Sequence, residues 1–146
     1  MRLLIINGPN LNLIGKRETD IYGSTDINDY LREIASKYAK QGIEITWFQS
    51  NVEGEIINKI HESGFSIDGI ILNAGAYSHT SLAIADAISS ISSPVIELHI
   101  SNIFSREDFR QISYLAKNCK GSISGFGIRG YEIAIQSFID PNFLLV

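Results

Sequence analysis

The sequence predicts an α/β fold in which helices cover both faces of a parallel sheet. Short apolar runs rich in branched residues alternate along the chain with longer segments in which apolar residues recur at helical spacing. The short runs mostly lack the alternation of polar and apolar residues that marks a strand with one wet face, so we expect them to be buried on both faces. Strands and helices that alternate in this way form right-handed βαβ units, and hence a parallel sheet.

Five short segments have the composition of strands, namely Arg2–Asn7 and residues 43–48, 68–73, 94–99 and 121–125. Each of the first four contains at least three large apolar residues, whereas the fifth, GSISG, contains one. The fourth segment also carries two ionisable side chains, Glu97 and His99, near its end. A strand that is buried on both faces rarely holds such groups without a partner. These two residues are therefore candidates for a functional site.

Helices are expected between the first strands. Thr25 and Asp26 offer an N-terminal cap for the first helix, in which apolar residues recur at helical spacing up to Gly42. The second helix is expected around residues 56–61 and should end near Gly64.

The second half of the chain continues the pattern. Ser81 can cap a third helix, which should end before Pro94. Residues 101–118 are predicted to be irregular chain and helix, and Gly130–Ile139 has the pattern of an amphipathic helix. Five strands with five helical patterns predict a flavodoxin-like fold, a doubly wound five-stranded parallel sheet with helices on both faces.

Length and composition fit one globular domain spanning residues 1–146. A chain of 146 residues with 45% hydrophobic content can bury roughly 70% of its unfolded surface. The lone Cys119 excludes an internal disulfide and a cysteine-based metal cluster, and favours a small buried hydrophobe.

Charge and hydropathy limit the partners and the location. The net charge is −4 and no basic stripe is present, so we expect no nucleic-acid binding. The apolar run at residues 3–6 is shorter than the roughly 7 to 15 residues of a signal-peptide core. No stretch approaches the ~18 apolar residues of a membrane span. We therefore expect a cytoplasmic protein with no membrane partner.

Polar residues follow the carboxyl ends of the first, third and fourth predicted strands, in residues 7–23, 73–80 and 99–102. Ligands of doubly wound sheets bind at this edge, so we expect the three clusters to converge on one site. The first cluster is longer than the about 12 to 15 residues that are usual for a loop, which favours a functional loop.

Several kinds of chemistry can be weighed for this site. The possible metal ligands His79, His99, Glu97 and Asp86 have no HExxH-type or CxxC-type spacing, so we expect no metal. The signal for a nucleotide-binding glycine motif is weak, because NGPNLNLIG is poor in glycine and FGIRG falls late in the chain. The GxSxG elbow of serine hydrolases is absent from the sequence. Acid–base chemistry remains, with Tyr22, Arg17, His99 and His79 as candidates. Taken alone, each of the two histidines and Tyr22 favours a structural role, so the argument for function rests on their convergence.

Six ordered blocks of sequence resemble the type II 3-dehydroquinate dehydratases over nearly the whole chain. The blocks are NGPNLNLIGKRE followed by IYG, QSNVEGE, NAGAYSHTS, ELHISNI with SREDFR, and GFGIRGY. Two positions depart from the family pattern: Val52 stands where His is frequent, and Ala74 stands where Pro is frequent. Neither position carries the chemistry that the resemblance implies.

The resemblance implies the dehydration of 3-dehydroquinate to 3-dehydroshikimate, a step of the shikimate pathway to aromatic amino acids. It implies an anti elimination through an enolate, without metal, cofactor or Schiff base. Tyr22 would be the base that removes the C2 proton, assisted by Arg17, since a phenol has an ordinary pKa of about 10 and needs a nearby positive charge to ionise at neutral pH. Asn10 would hold a water or a donor against the enolate oxygen. His99 would protonate the departing C1 hydroxyl, with Glu97 as its orienting partner.

The same resemblance implies the substrate contacts. Asn73 and His79 match residues that hold ring hydroxyls, and Arg110 matches a further hydroxyl contact. Ile100 and Ser101 match the groups that bind the substrate carboxylate.

It also implies an assembly. Asp86 matches a residue that reaches the site from a neighbouring subunit, so we expect trimers that build a homododecamer. Arg106 is expected to lie on or under a mobile lid formed by the first loop.

Two hypotheses from other classes remain open at this stage. A flavin- or nucleotide-binding module could use the same fold, although Arg17, Glu18 and Asp20 crowd the first loop with mixed charge. A purely structural assembly protein is the other alternative. It would show no rise in melting temperature when a carboxylated cyclohexane is added.

Overall fold

The computed structural model describes residues 1–16 and 25–140. Its five strands are β1 (Arg2–Asn7), β2 (Glu44–Gln49), β3 (Gly69–Asn73), β4 (Val95–His99) and β5 (Gly121–Ser124). All neighbours are parallel and the order is β2-β1-β3-β4-β5. The predicted flavodoxin-like α/β class is confirmed, and each predicted strand lies within one residue of the observed bounds.

Four α-helices are described, namely α1 (Ile27–Ala39), α2 (Glu53–Ser63), α3 (Leu82–Ser89) and α4 (Gly130–Ile139). The two predicted caps are both formed, because Asp26 accepts from the backbone N–H of Asn28 and Ser81 accepts from that of Ile84. A cap satisfies an N–H that the helix itself leaves without a partner.

The irregular chain predicted between β4 and β5 is present, but the helix predicted with it is not. In place of an α-helix this connection contains three short 3₁₀ turns, Ile103–Ser105, Asp108–Arg110 and Ala116–Asn118. The apolar residues Phe104, Phe109 and Ile112 are exposed, so this segment has no continuous apolar stripe that would bury one face of a helix.

The sheet separates two apolar layers. Alternate residues of β1 point to opposite sides, with Leu3 and Ile5 in the layer under α1 and α4, and Leu4 and Ile6 in the layer under α2 and α3. This burial on both faces explains why the first strand has no polar alternation. No helix in residues 1–16 and 25–140 is long and apolar enough to cross a membrane.

Close backbone packing joins the carboxyl ends of β1 and β3. A Cβ atom on Gly8 would lie 2.4 Å from the carbonyl oxygen of Ala74, and the Gly8 N–H donates to Asn73 O at 2.7 Å. This contact holds the beginning of the first loop against the loop that follows β3. The two polar segments therefore share one edge of the sheet.

Candidate active site

A cleft of about 170 Å³ opens at the carboxyl edge of β1, β3 and β4. It is lined by residues from all three predicted clusters. The polar and charged ones are Asn10, Asn73, His79, His99, Ser101, Arg106 and Arg110. Ile100 also lines the cleft. The convergence expected from the sequence thus occurs for the clusters after β1, β3 and β4.

Asn10 holds an unusual backbone conformation at the cleft. Its φ of 68° is the only positive φ of a non-glycine residue in residues 1–16 and 25–140. Asn tolerates this left-handed region better than most residues do. The N–H of Asn10 donates to Oδ1 of Asn51 at 3.0 Å, and Gln49 Nε2 donates to the same oxygen at 3.1 Å. Asn51, which follows β2, therefore holds the backbone of Asn10, and Gln49 at the end of β2 holds the side chain of Asn51.

Glu97 and His99 form a buried pair at the end of β4. Both residues point to the same face because they are two positions apart in a strand. His99 Nε2 lies 3.0 Å from Glu97 Oε1, in the geometry of a close ion pair rather than of a well-directed hydrogen bond. Ser113 donates to Oε1 of Glu97, and Ser122 donates to Oε2 at 2.9 Å.

These contacts decide the charge of Glu97. The carboxylate is fully buried, and burial alone would raise its pKa. The close approach to His99 and the hydroxyl hydrogen bonds of Ser113 and Ser122 outweigh this effect, so that the pKa of Glu97 lies below its ordinary value. An ionised Glu97 therefore faces the buried His99 across 3.0 Å and can orient its ring.

His79 lies beside His99 in the cleft. The two ring centroids are 5.8 Å apart and the rings are nearly parallel, with an interplanar angle of 24°. His79 Nδ1 lies 2.8 Å from the carbonyl oxygen of Ile112. Since a carbonyl can only accept, Nδ1 is the protonated nitrogen, and Nε2 of a neutral ring is left as an acceptor.

Asn73 enters the cleft from the end of β3. Its Oδ1 accepts from the N–H of Gly75 at 3.3 Å, and its Nδ2 donates to the hydroxyl of Tyr131 at 3.3 Å. Only 3% of its surface is exposed. Its amide is therefore held from two sides at the base of the cleft.

Two arginines add positive charge at the rim. Arg106 Nη1 donates to Ser101 Oγ at 3.4 Å, which places this guanidinium near the segment after β4. Arg106 and Arg110 both approach Glu107, with nitrogen–oxygen distances of 3.5 and 3.2 Å. A backbone hydrogen bond and these two cations keep the pKa of Glu107 below its usual range. The cleft thus combines two arginines with amides and imidazoles, a set that suits an oxygen-rich anion.

Three of the residues expected at the site are not brought to the cleft by the described part of the chain. Arg17 and Tyr22 lie outside the described residues. Asp86 is on the exposed side of α3 and does not line the cleft.

Sequence reasoning missed several residues that support the site. Asn51 and Gln49 follow the same rule as the other clusters, because they lie at the carboxyl end of β2, and this signal could have identified them. Ser113, Ser122 and Tyr131 carry no such signal, since their partners are far away along the chain.

Potential metal ligands do not gather in the part of the chain that the structure describes. Within residues 1–16 and 25–140 there is no group of three or more His, Cys, Asp or Glu residues placed to hold a metal ion.

Comparison with known proteins gives the relatives of the chain. The family model described as "Dehydroquinase class II" matches residues 1–139. A 3-dehydroquinate dehydratase of Caldicellulosiruptor bescii is 55% identical over 137 residues, covering 93% of this chain and 94% of the relative. A 3-dehydroquinate dehydratase of Prochlorococcus marinus (strain MIT 9301) is 51% identical over 139 residues, covering 95% of each. Among solved structures, the type II dehydroquinase from Butyrivibrio crossotus matches with a TM-score of 0.92 and 46% identity, covering 96% of this chain and 98% of that one.

Proposed function

The chain belongs to the class II dehydroquinase family, and from this premise we propose that it is a hydro-lyase that converts 3-dehydroquinate to 3-dehydroshikimate. The observation that carries the proposal is the cleft, in which polar residues that follow the ends of three strands meet. The reaction is a step of the shikimate pathway to aromatic amino acids. The protein acts as a single catalytic domain in the cytoplasm, without a cofactor.

The proposed reaction is an anti elimination of water. The phenolate of Tyr22 removes the C2 proton, and the electron pair left behind forms an enolate with the neighbouring carbonyl. Arg17 favours the phenolate and counters the developing charge. As the enolate collapses, the bond from C1 to its hydroxyl breaks, and His99 donates the proton that completes the water molecule.

The geometry on the acid side supports this assignment. His99 is buried at the cleft, and its Nε2 lies 3.0 Å from Oε1 of the ionised Glu97. A carboxylate beside an imidazole can hold the ring in the orientation that proton transfer requires. Glu97 acts as a positioning residue, since its own oxygens are taken up by His99 and by two serines.

The enolate oxygen needs a donor, and Asn10 is proposed to supply or hold it. Its backbone is fixed in the left-handed region by Asn51, so that the side chain is presented by a rigid segment. Preorganised donors stabilise developing negative charge without having to reorient during the reaction.

Substrate binding is assigned to the rest of the cleft. Asn73, His79 and Arg110 are proposed to bind the ring hydroxyls, and the segment of Ile100 and Ser101 binds the carboxylate. All five line the same cleft, and the nearby Arg106 adds positive charge. An anionic, hydroxylated ring matches this mixture of amides, imidazole and guanidinium.

The assembly proposed for this chain is a homododecamer built from trimers, in which Asp86 reaches the cleft of a neighbouring subunit. Asp86 is exposed on α3, and Leu82 on the same helix has 62% of its surface exposed. An exposed leucine beside an exposed carboxylate is compatible with a subunit contact on this helix.

A direct assay tests the function. Purified protein is mixed with 3-dehydroquinate, and the appearance of the conjugated double bond of the product is followed by ultraviolet absorbance. We expect Tyr22→Phe to lower kcat by ~10² to 10⁴, the usual cost of losing a general base. Arg17→Lys should lower it by on the order of 10², because Lys keeps the charge but loses the planar fork of donors.

Tyr30→Phe is the matched control, because Tyr30 lies on α1 and its hydroxyl bonds to Glu132 rather than to the cleft. Its turnover should equal that of the unmodified protein. Absence of product from the folded unmodified protein would refute the proposed activity, and near-normal turnover of Tyr22→Phe would refute the assignment of the base.

A further inference from the structure

A series of buried hydrogen bonds connects the cleft to helix α4. Tyr131, in the first turn of α4, is completely buried. Its hydroxyl donates to Oδ1 of Asn7 at 2.7 Å and accepts from Nδ2 of Asn73 at 3.3 Å. Asn7 and Asn73 are the last residues of β1 and β3, and they are aligned with each other in the sheet. The phenol of Tyr131 therefore bridges the two strand ends behind the cleft.

The donors and acceptors in this series of hydrogen bonds determine the orientation of the Asn73 amide. A phenol has one proton to donate, and the hydroxyl of Tyr131 gives it to Asn7. The Asn73 atom that faces this hydroxyl must then be a donor, namely Nδ2. On the other side, the N–H of Gly75 can only donate, so the atom that faces it must be Oδ1. Both neighbours require the same orientation.

Burial also keeps the phenol protonated. Removal from water raises the pKa of Tyr131, and the hydrogen bonds from Asn73 and to Asn7 only partly oppose this effect. The hydroxyl thus stays a donor toward Asn7 and an acceptor from Asn73 over the working pH range of most enzymes.

We propose that Tyr131 is a positioning residue for substrate binding, which locks the amide of Asn73 through the bridge from Asn7 and so fixes which donor and acceptor the cleft offers to a ring hydroxyl. This inference rests on the proposed function, because it assigns a ring hydroxyl of the substrate to Asn73. The second N–H of Nδ2 and the second lone pair of Oδ1 are not used by Tyr131 or Gly75. Without the hydroxyl of Tyr131, the Asn73 amide loses one of the two hydrogen bonds that orient it. Part of the free energy of substrate binding is then needed to orient the amide.

Tyr131→Phe tests this idea while keeping the ring that packs in the core. Loss of one oriented hydrogen bond should raise KM for 3-dehydroquinate by about fivefold to tenfold and change kcat by less than about threefold. Tyr38→Phe is the matched control. Tyr38 is also fully buried in the same apolar layer, and its hydroxyl accepts from Gln136 Nε2 at 2.8 Å, away from the cleft. Its KM should stay unchanged even if both variants melt at a lower temperature.

A double-mutant cycle shows whether the effect passes through Asn73. In an Asn73→Ala background, Tyr131→Phe should change KM by less than about twofold, since the amide it orients is gone. Asn7→Ala gives a second route, because it frees the proton of the phenol to point at Asn73, and it should raise KM in the same way.

The outcomes separate this inference from the proposed function. If the unmodified protein forms no 3-dehydroshikimate, the proposed function fails. If the unmodified protein is active but Tyr131→Phe and Tyr38→Phe have the same KM, the positioning role is refuted and the function stands. The same conclusion follows if Tyr131→Phe raises KM by the same factor with Asn73 as with Ala at that position. If Tyr131→Phe does not fold, Asn7→Ala decides between these two results.

Discussion

Replacement of Glu97 by Gln measures what one buried negative charge contributes. The substitution keeps the size of the side chain and removes the charge that His99, Ser113 and Ser122 surround. A hydrogen bond to a charged group contributes about 1.5 to 3 kcal/mol, against about 0.5 to 1.5 kcal/mol for a neutral one. The two serine bonds should thus lose about 2 kcal/mol together. The lowered pKa of Glu97 shows that these attractions exceed the cost of burying the charge. We expect Glu97→Gln to reduce the free energy of unfolding at pH 7 by about 2 kcal/mol.

The same charge predicts a pH dependence with a definite sign. Because the pKa of Glu97 is lower in the folded protein than in the unfolded chain, the unfolded chain binds the proton first as the pH falls. The stabilisation is complete above the unfolded pKa of about 4.3 and is lost as the pH falls from there through the folded value. The Gln variant has no such group. The difference in stability between the two proteins should therefore shrink as the solution is acidified below about pH 4.3.

Urea unfolding at one fixed protein concentration, from pH 7 to pH 3.5, measures this difference. The matched control is Glu62→Gln, because Glu62 is exposed on α2 and pairs with Lys59 at 3.3 Å. Its curve should follow that of the unmodified protein, since exposed pairs contribute about 0 to 1 kcal/mol. A gap between Glu97→Gln and the unmodified protein that stays constant over the whole pH range would refute the reasoning.

Four further predictions concern support, packing, assembly and mechanism. Asn51→Ala removes the side-chain oxygen that accepts from the backbone N–H of Asn10, which has a left-handed conformation. We expect kcat to fall by about tenfold or more while the circular dichroism spectrum stays unchanged. An unchanged kcat would contradict the supporting role of Asn51. Gly8→Ala would place a methyl group 2.4 Å from the Ala74 carbonyl oxygen. Thermal unfolding should therefore show that the free energy of unfolding is lower by about 1 to 3 kcal/mol. An unchanged melting temperature would contradict the close approach of the two backbone segments. Light scattering should give a mass far above 16.2 kDa, and a fully active monomer would rule out a shared site with Asp86. Borohydride added with substrate should leave activity intact, because the proposed mechanism forms no imine, and mass spectrometry would reveal any lysine adduct that contradicts it.

The fold could be predicted because local signals agree with one another along most of the chain. Asp26 and Ser81 mark helix starts whose caps are both formed, and the apolar runs give strands with both faces buried. The structure of the segment between β4 and β5 is harder to predict from sequence, because it depends on tertiary contacts. Ser113, for example, accepts from two backbone N–H groups there while it donates to the distant Glu97.

The candidate site could be predicted in its outline and not in its supporting contacts. The rule that ligands bind at the carboxyl ends of strands brings Asn73 and His99 together from the sequence alone, and both line the cleft. The phenol of Tyr131 lies 124 residues from Asn7 along the chain, so no spacing in the sequence indicates their contact. A buried aromatic residue in a helix indicates core packing, and only its hydrogen bonds show a second role.

The contact between Gly15 and Thr25 has a consequence for how this family can diversify. Gly15 has a φ of 87°, and a Cβ atom there would lie 2.6 Å from the carbonyl oxygen of Thr25. Gly15 and Thr25 therefore lie close together, with Thr25 directly before the cap residue of α1, Asp26. A segment bounded in this way can be exchanged, shortened or lengthened between relatives without moving the sheet or the helix that follows, since loop closure costs little more when the length changes.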